Sequence, residues 1–240
     1  MPDCAMVLAA GLGLRMRPIT ETMPKPLVPL GGVPLLDRAL DRLSEAGVGT
    51  AIVNLHYLGH MIEAHLADRT KPAIRFSHEE DALLETGGGV AKALPLLGTA
   101  PFFVVNADIA WTDGTVPALQ RLEERWDDDA MDALLLLHPV RDATGYGGAG
   151  DYSLAEDGCL RRRREETAAP YVFTGVQMLH PRLFDGAPGG KFSMTILYDR
   201  AQESGRLFGL VHDGDWHHIG TPAGLAEAEA CLAGKKPGGG

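Results

Sequence analysis

Hydrophobic and polar positions follow two alternating patterns along the first half of the chain. Short apolar runs predict buried strands, and they occupy residues 4–9, 50–55, 73–77 and 102–106. Between them, apolar residues repeat at helical spacing, at positions 36, 39, 40 and 43 and over residues 61–66 and 90–97. Strands that alternate with helices in this way predict a parallel sheet covered by helices.

The pattern changes in the second half. A helical pattern over residues 116–126 precedes a continuous apolar run at 133–137, which fits a buried strand or a buried helix, and its short length favours the strand. Later segments show strand patterns at 152–154, 159–160 and 172–179, and helical patterns at 194–204 and 223–232. We therefore expect an α/β fold with a Rossmann-like, mostly parallel sheet flanked by helices and a small antiparallel part in the C-terminal half.

Length, charge and cysteine content narrow the functional classes. A chain of 240 residues can bury one sizeable core, so we expect a single domain over residues 1–234, followed by a disordered tail at 235–240. The formal net charge of -10 disfavours binding to nucleic acid or to anionic membranes. The three cysteines match neither a disulfide framework nor a zinc site. Because no signal-peptide pattern or membrane-length apolar run is present, we expect a cytoplasmic protein.

A glycine-rich loop follows the first predicted strand. Residues 8–18 read L-A-A-G-L-G-L-R-M-R-P, with Met16 where a dinucleotide fingerprint needs its third glycine, and the Gly-Lys-Ser/Thr of a P-loop is missing. Glycines after a strand nevertheless let peptide N–H groups approach phosphates, and Arg15, Arg17 and Lys25 supply positive charge nearby. A tight turn with solvated basic side chains is an equal alternative.

Two further segments carry candidate binding groups. Residues 85–89, E-T-G-G-G, precede the helical pattern at 90–97 and predict a binding loop of bare backbone at a helix N-terminus, in preference to a structural turn. Asp108 follows the apolar run 102–106, which places it at the carboxyl edge of the predicted sheet, where open α/β sheets bind ligands. A carboxylate there is a suitable Mg²⁺ ligand, although an aspartate that caps a helix or a turn is also common.

Three other motifs give weaker signals. Residues 145–150 match G-x-G-x-x-G, but no helical period follows, so we interpret them as a flexible loop that could close over a substrate. The arginines at 161–164 form a phosphate-binding patch or a solvated face, and the glutamates at 165 and 166 favour the face. His217 and His218 point to opposite faces of a strand-like segment, so at most one of them faces a site.

Four motifs together resemble the sugar-1-phosphate nucleotidyltransferase family: the loop at 8–18, P-K-P-L at 24–27, E-T-G-G-G at 85–89 and N-A-D at 106–108. The similarity runs over nearly the whole chain. It implies two substrates, a nucleoside triphosphate and a sugar 1-phosphate, and release of pyrophosphate. Within the family, F-T-G-V-Q-M-L-H-P at 173–181 favours transfer of UMP from UTP to N-acetylmuramate 1-phosphate in cell-wall recycling. Guanylyl transfer to mannose 1-phosphate and thymidylyl transfer to glucose 1-phosphate are the alternatives.

The resemblance also implies roles for individual residues. It assigns catalysis to Arg15, Lys25 and Asp108. It assigns nucleotide binding to Leu8, Ala10, Gly11, Gly13, Gly87 and Gly88. It assigns sugar binding to Asn106, Thr174 and Gly175.

The chain departs from the family pattern at the residues expected to bind the cation. The resemblance implies that Asp108 binds Mg²⁺, but His218 stands where the family usually has a second metal-binding aspartate. Mg²⁺ prefers oxygen ligands, so the imidazole predicts a weaker contact there or a preference for Mn²⁺. The incomplete metal pair also keeps a second hypothesis open, a non-catalytic regulatory protein that binds nucleotide sugars.

Overall fold

The computed structural model describes residues 1–80 and 82–234. Its strands, numbered in chain order, are β1 (Cys4–Leu8), β2 (Pro29–Leu30), β3 (Val33–Pro34), β4 (Thr50–Leu55), β5 (Ala73–His78), β6 (Phe102–Asn106), β7 (Ile109–Trp111), β8 (Ala133–Pro139), β9 (Tyr152–Leu154), β10 (Leu160–Arg162), β11 (Tyr171–Leu179), β12 (Leu207–Val211) and β13 (Trp216–His218). Its α-helices are α1 (Leu35–Glu45), α2 (Gly59–Leu66), α3 (Glu85–Leu97), α4 (Ala118–Arg125), α5 (Thr195–Glu203) and α6 (Pro222–Leu232). The tail expected at 235–240 lies outside the described residues.

A mixed sheet forms the centre of the molecule, and within the described ranges it contains nine strands. Strands β5, β4, β1 and β6 lie side by side and are parallel, as the strand–helix alternation predicts. The next strand, β11, is antiparallel to β6 and also pairs with β8 and β9. The expected mostly parallel sheet with a small antiparallel part in the C-terminal half is therefore confirmed.

Both faces of the sheet are buried, because helices cover each of them. In β1, Ala5 and Val7 pack on one face together with α1 and α2, whereas Met6 packs on the other face with α3 and α5. All three side chains are fully buried. Burial on both sides explains why the parallel strands are continuous apolar runs in the sequence. No helix in the described part of the chain is long and apolar enough to cross a membrane.

Some elements differ from the sequence prediction. The glycines at 87–89, expected in a loop before a helix, belong to the first turns of α3, because that helix already begins at Glu85. Strands β7 and β12 have no counterpart among the predicted elements, since the first is very short and the second contains Gly209. β7 pairs with β13 in a separate two-stranded sheet, which brings residue 218 opposite Ile109.

Candidate active site

A cleft opens at the carboxyl ends of β1 and β6. Leu8 pairs with Asn106 at this edge, and the peptide N–H of Ala107 donates to the carbonyl oxygen of Leu8 at 3.1 Å. The cleft is lined by Leu8, Ala10, Gly11, Asn54, Leu83, Glu85, Thr86, Asn106 and Asp108. The edge is the one at which open α/β sheets bind ligands. Of the residues predicted for the site, the structure places five on this lining: Leu8, Ala10, Gly11, Asn106 and Asp108.

The glycine-rich loop presents free backbone to the cleft. The peptide N–H groups of residues 11–15 donate to no group in the described part of the chain, and the space beside the Cα of Gly11 is open. Gly13 has a different function: its φ is +62°, and a Cβ there would lie 3.0 Å from the side chain of Thr20 and 3.1 Å from that of Lys25. Gly13 therefore lets the segment that carries Lys25 pack closely, while Gly11 leaves N–H groups available to an anion.

Lys25 and Asp108 form an ion pair at the floor of the cleft. The Nζ atom of Lys25 donates to Oδ2 of Asp108 at 2.8 Å. The lysine side chain is only 9% exposed, whereas that of Asp108 is 35% exposed and can still contact a ligand. Residues separated by 83 positions meet here because Lys25 stands on a 3-10 turn next to the glycine-rich loop and Asp108 follows β6. The pair keeps the ammonium in place before any substrate binds.

His218 lies beside this ion pair. Burial lowers the pKa of His218, and the positive charges of Lys25 and Arg15 lower it further, while Asp108 opposes them. The pairing of His218 with Ile109, the residue after Asp108, places the imidazole in this neighbourhood, and the lowered pKa leaves it uncharged near neutral pH. Arg15 is exposed, so its guanidinium is available to a ligand. The structure thus brings together the residues predicted to act on phosphates and on the cation.

Two residues predicted to bind the sugar, Thr174 and Gly175, lie on β11 and have different surroundings. The Thr174 side chain is 1% exposed, and its hydroxyl donates to the carbonyl oxygen of Leu136 at 2.8 Å. The same hydroxyl accepts from the N–H of Val176. Gly175 has a φ of +89°, and a Cβ there would lie 2.9 Å from Nδ2 of Asn106. Thr174 therefore stabilises an irregular stretch of β11, and only Asn106, which lines the cleft, is directly exposed to a ligand in that position.

The two glycines predicted to receive the base pack against another part of the chain. The N–H groups of Gly87 and Gly88 both donate to the carbonyl oxygen of Phe192, at 3.0 and 3.1 Å. A Cβ on Gly87 would overlap the Phe192 ring, and one on Gly88 would overlap the carbonyl oxygen of Gly190. Close packing therefore accounts for these glycines, and their neighbours Glu85 and Thr86 face the cleft instead.

The other two motifs singled out in the sequence have different surroundings. The loop at 145–150 is followed by β9 and not by a helix, as expected, and the Tyr146 ring lies edge-on to His218 with centroids 6.4 Å apart. Among the arginines at 161–164, Arg162 makes a bidentate pair with Asp199, with both N–O distances 2.7 Å. Arg163 donates to backbone carbonyls of its own turn. Two of the four guanidinium groups therefore have protein partners, and these partners are not Glu165 or Glu166 side chains.

The residues present fit a divalent cation in part. In the described ranges, no group of three or more His, Cys, Asp or Glu side chains is arranged to hold a metal ion. Asp108 supplies a carboxylate that contacts Lys25 through Oδ2 and lines the cleft, and His218 supplies a neutral nitrogen nearby. Such a donor set suits an ion that takes most of its ligands from phosphate oxygens and water, as Mg²⁺ commonly does.

Sequence reasoning missed three residues that line the cleft or support it. Asn54 and Leu83 lie on the lining, and Glu79 is buried behind it at 2% exposure. Asn54 had a visible signal, because it is a polar residue near the carboxyl end of the apolar run 50–55. Glu79 had none, since a glutamate after a strand is ordinarily solvated.

Comparison with known proteins agrees with this geometry. Residues 4–233 match a family model described as nucleotidyl transferase. The chain is 42% identical over 236 residues to the N-acetylmuramate alpha-1-phosphate uridylyltransferase of Caulobacter vibrioides, covering 97% of this chain and 98% of the relative. It is 36% identical over 233 residues to the protein of the same name from Neisseria meningitidis serogroup B, covering 96% and 98%.

A solved structure supports the fold independently. The crystal structure of a UDP-glucose pyrophosphorylase complexed with UDP-glucose matches with a TM-score of 0.80, over 98% of this chain and 99% of that one. The sequences are 19% identical, so this likeness concerns the fold alone.

Proposed function

The chain belongs to the nucleotidyl transferase family, and on that premise we propose that it transfers UMP from UTP to N-acetylmuramate 1-phosphate and releases pyrophosphate. Support for this substrate pair comes from the two relatives that align over nearly their whole length. The observation that carries the chemistry is the Lys25–Asp108 pair beside a loop of free N–H groups, at the carboxyl edge of β1 and β6. A place in cell-wall recycling follows from the same substrates, and the cytoplasmic location stays a prediction.

The residues of the cleft are suited to an in-line displacement. An oxygen of the sugar phosphate attacks the α-phosphorus of UTP, the new P–O bond forms, and the bond to the β-phosphate breaks with its electrons leaving on pyrophosphate. The attacking oxygen is already anionic near neutral pH, so no protein base or nucleophile is needed. Lys25, Arg15 and the N–H groups of residues 11–15 stabilise the negative charge that develops on the phosphates.

We propose Mg²⁺ as the cation, with Mn²⁺ as the alternative that the nitrogen of His218 favours. Asp108 would hold the ion, with nucleotide phosphates and water as its other ligands. When bound, the ion supplies charge neutralisation at the reacting phosphates. The orientation of Lys25 depends on Asp108 in either case, because the 2.8 Å contact positions the ammonium.

A panel of substrates tests this proposal. Pyrophosphate release is measured with UTP, GTP and dTTP, each paired with N-acetylmuramate, mannose and glucose 1-phosphates, in Mg²⁺ and in Mn²⁺. We expect the highest kcat/KM for UTP with N-acetylmuramate 1-phosphate. A higher kcat/KM for GTP with mannose 1-phosphate, or for dTTP with glucose 1-phosphate, would assign that substrate pair to the protein instead. The reaction class would stay the same.

A non-catalytic regulatory protein is the second candidate, and His218 in the cation neighbourhood is the observation that favours it. This candidate predicts tight binding of a nucleotide sugar without turnover of any substrate pair. Retention of Arg15, Lys25 and Asp108 together argues for catalysis, because binding alone does not require a complete set of groups that neutralise phosphates.

A further inference from the structure

Two buried polar side chains connect the walls of the cleft. Asn54 is 3% exposed and Glu79 is 2% exposed. The Asn54 oxygen Oδ1 accepts from the N–H of Ala9 at 2.7 Å, and its nitrogen Nδ2 donates to Oε1 of Glu79 at 2.7 Å. The other carboxylate oxygen, Oε2, accepts from the N–H of Leu84 at 2.7 Å. Three hydrogen bonds in series therefore run from Ala9 to Leu84.

The peptide N–H groups at the two ends of this series determine which group donates and which accepts in each hydrogen bond. A peptide N–H can only donate, so the amide oxygen of Asn54 must face Ala9 and a carboxylate oxygen must face Leu84. The amide nitrogen of Asn54 is then left to face Glu79, which accepts with its second oxygen. Each polar side-chain atom of Asn54 and Glu79 is therefore paired with a group of the opposite hydrogen-bonding type. We call these two side chains the brace, and the brace has a single arrangement of donors and acceptors.

Both anchored residues stand between residues that line the cleft. Ala9 lies between Leu8 and Ala10 on the wall formed by the glycine-rich loop. Leu84 lies between Leu83 and Glu85 on the opposite wall, at the start of α3. The brace therefore ties the two walls to each other across the back of the cleft, and its length sets the distance between them.

The third glycine of α3 is explained by the same contacts. A Cβ on Gly89 would lie 2.9 Å from Oε1 of Glu79 and 3.0 Å from Nδ2 of Asn54. Both distances are shorter than a carbon atom tolerates next to atoms held in a buried network. Gly89 thus leaves the room that the brace occupies, whereas Gly87 and Gly88 make room for residues 190–192.

We propose that Asn54 and Glu79 are positioning residues that set the width of the nucleotide cleft and thereby the affinity for the nucleoside triphosphate. The inference rests on the proposed function for the identity of that ligand. Asn54 reaches the lining of the cleft and Glu79 is buried behind it, and their hydrogen bonds join Ala9 and Leu84 and not Lys25 or Asp108, so the effect of the brace falls on nucleotide binding and not on the acceptor sugar phosphate.

A reciprocal exchange of side chains tests the brace. Glu79→Gln is nearly isosteric, but its amide offers one acceptor to two donors, so one buried hydrogen bond is lost. Asn54→Asp places two carboxylates face to face. In the double variant, the new amide nitrogen at position 79 donates to the new carboxylate at position 54, while Leu84 and Ala9 keep acceptors. The total charge is the same as in the wild type.

The readout is the KM for UTP at saturating N-acetylmuramate 1-phosphate, and the KM for the sugar phosphate at saturating UTP. We expect each single variant to raise the KM for UTP by about fivefold to a hundredfold, the range for one unsatisfied buried group, with little change in the KM for the sugar phosphate. The double variant should return the KM for UTP to near the wild-type value. Asp132→Asn is the matched control, because Asp132 binds Arg182 and Arg206 at the opposite edge of the sheet.

Calorimetric binding of UTP without acceptor separates this inference from the proposed function. A wild-type protein that binds UTP but turns over no substrate pair contradicts the function alone. A folded double variant that binds UTP no better than the single variants contradicts the brace alone, as does equal loss of affinity in Asp132→Asn. If Glu79→Gln does not fold, Asn54→Ser takes its place in the comparison, since it shortens the brace without burying an extra amide.

Discussion

At the level of single residues, Asp108 both contacts Lys25 and faces the cleft. Its carboxylate holds the Lys25 ammonium at 2.8 Å, and its partial exposure leaves it accessible to a ligand. Asp108→Asn preserves the shape of the side chain but removes its charge. Turnover should fall by about a thousandfold or more, because a charge that acts at the reacting phosphates is lost and the lysine loses its counter-ion.

Turnover and thermal unfolding together measure this prediction. Asp108→Asn should unfold cooperatively, so that the loss of activity is not a loss of fold. Asp213→Asn is the matched control, because it removes one carboxylate from an exposed pair with Arg121 and should leave turnover unchanged. Near-wild-type turnover of Asp108→Asn would remove this residue from the mechanism.

The proposed cation preference depends on His218. A neutral imidazole beside Asp108 is a poorer Mg²⁺ ligand than a carboxylate. His218→Asp should therefore raise the rate in Mg²⁺ and lower the ratio of the Mn²⁺ rate to the Mg²⁺ rate. The rates are measured over a titration of each metal, and His60→Asp, which adds a carboxylate at an exposed histidine, serves as control. A fall in rate with both metals would show that the imidazole has a function of its own.

Sequence patterns predict residues of the site only where chemistry and position coincide. Asp108 and Gly11 could be identified because a carboxylate and an unhindered glycine directly follow predicted strands. The burial of Thr174 could not be predicted, since it depends on a register change in β11 that has no sequence signature. Glu79 is the opposite case, a charged residue whose burial requires partners from two other segments.

At the scale of elements, the start of α3 is held by a segment far away in the chain. Gly87 and Gly88 donate to Phe192, and Phe192 in turn donates its N–H to the carbonyl oxygen of Leu84 at 3.1 Å. The sequence suggested a binding loop here because three successive glycines are costly in a helix. The structure shows that the glycines at 87 and 88 allow two pieces of backbone to approach each other, which no local pattern could reveal.

Gly87→Ala tests this packing. Helix propensity alone predicts a gain of about 1 kcal/mol for alanine, but the new methyl group would overlap the Phe192 ring. We expect a net loss of about 1–3 kcal/mol in the free energy of unfolding, measured by urea denaturation. Gly189→Ala is the matched control, because a Cβ there meets nothing within 4 Å. A Gly87→Ala protein as stable as the control would contradict the close packing.

Alternation between strands and helices allows the parallel half of the sheet to be predicted, because each strand is buried on both faces and reads as a continuous apolar run. The late strands are less regular. β12 contains Gly209, where a Cβ would lie 2.8 Å from Leu137, so close packing has replaced the usual strand composition. β7 is three residues long and depends on its pairing with β13.

At the scale of the whole molecule, buried histidines connect stability to pH. His212 is 3% exposed, its Nε2 is hydrogen-bonded to the carbonyl oxygen of Thr112, and its Nδ1 has no partner in the described part of the chain. Burial lowers its pKa, and His138 lowers it further, while the Thr112 carbonyl, Asp113 and Asp215 oppose. The folded state therefore binds fewer protons than the unfolded state below the ordinary histidine pKa of about 6.5.

The free energy of unfolding should consequently fall as the pH drops below about 6.5, by up to about 1.4 kcal/mol per pH unit for this group. In His212→Gln, which retains a donor for Thr112, the free energy of unfolding should depend less steeply on pH, because unfolding then takes up about one proton fewer. Urea denaturation at several pH values measures it, with the exposed His60→Gln as control. Equal slopes in His212→Gln and the wild type would show that His212 titrates alike in both states.

The expectation of a single domain over residues 1–234 stays a prediction, and the continuity of the sheet supports it. Strands from both halves of the chain are neighbours in that sheet, because β11 pairs with β6. The cleft likewise depends on both halves, since β13 brings His218 beside Asp108. A fragment that ends before β11 should therefore lose the support of β6 and of the candidate site.

Nucleotidyl transfer is tested by following the α-phosphorus of UTP. Purified protein is incubated with N-acetylmuramate 1-phosphate, a divalent cation and UTP radiolabelled at either the α- or the γ-phosphorus. We expect the α-label to appear in a nucleotide sugar and the γ-label in pyrophosphate, in equal amounts. Transfer of the γ-label to the sugar phosphate, or binding of UTP without movement of either label, would contradict it.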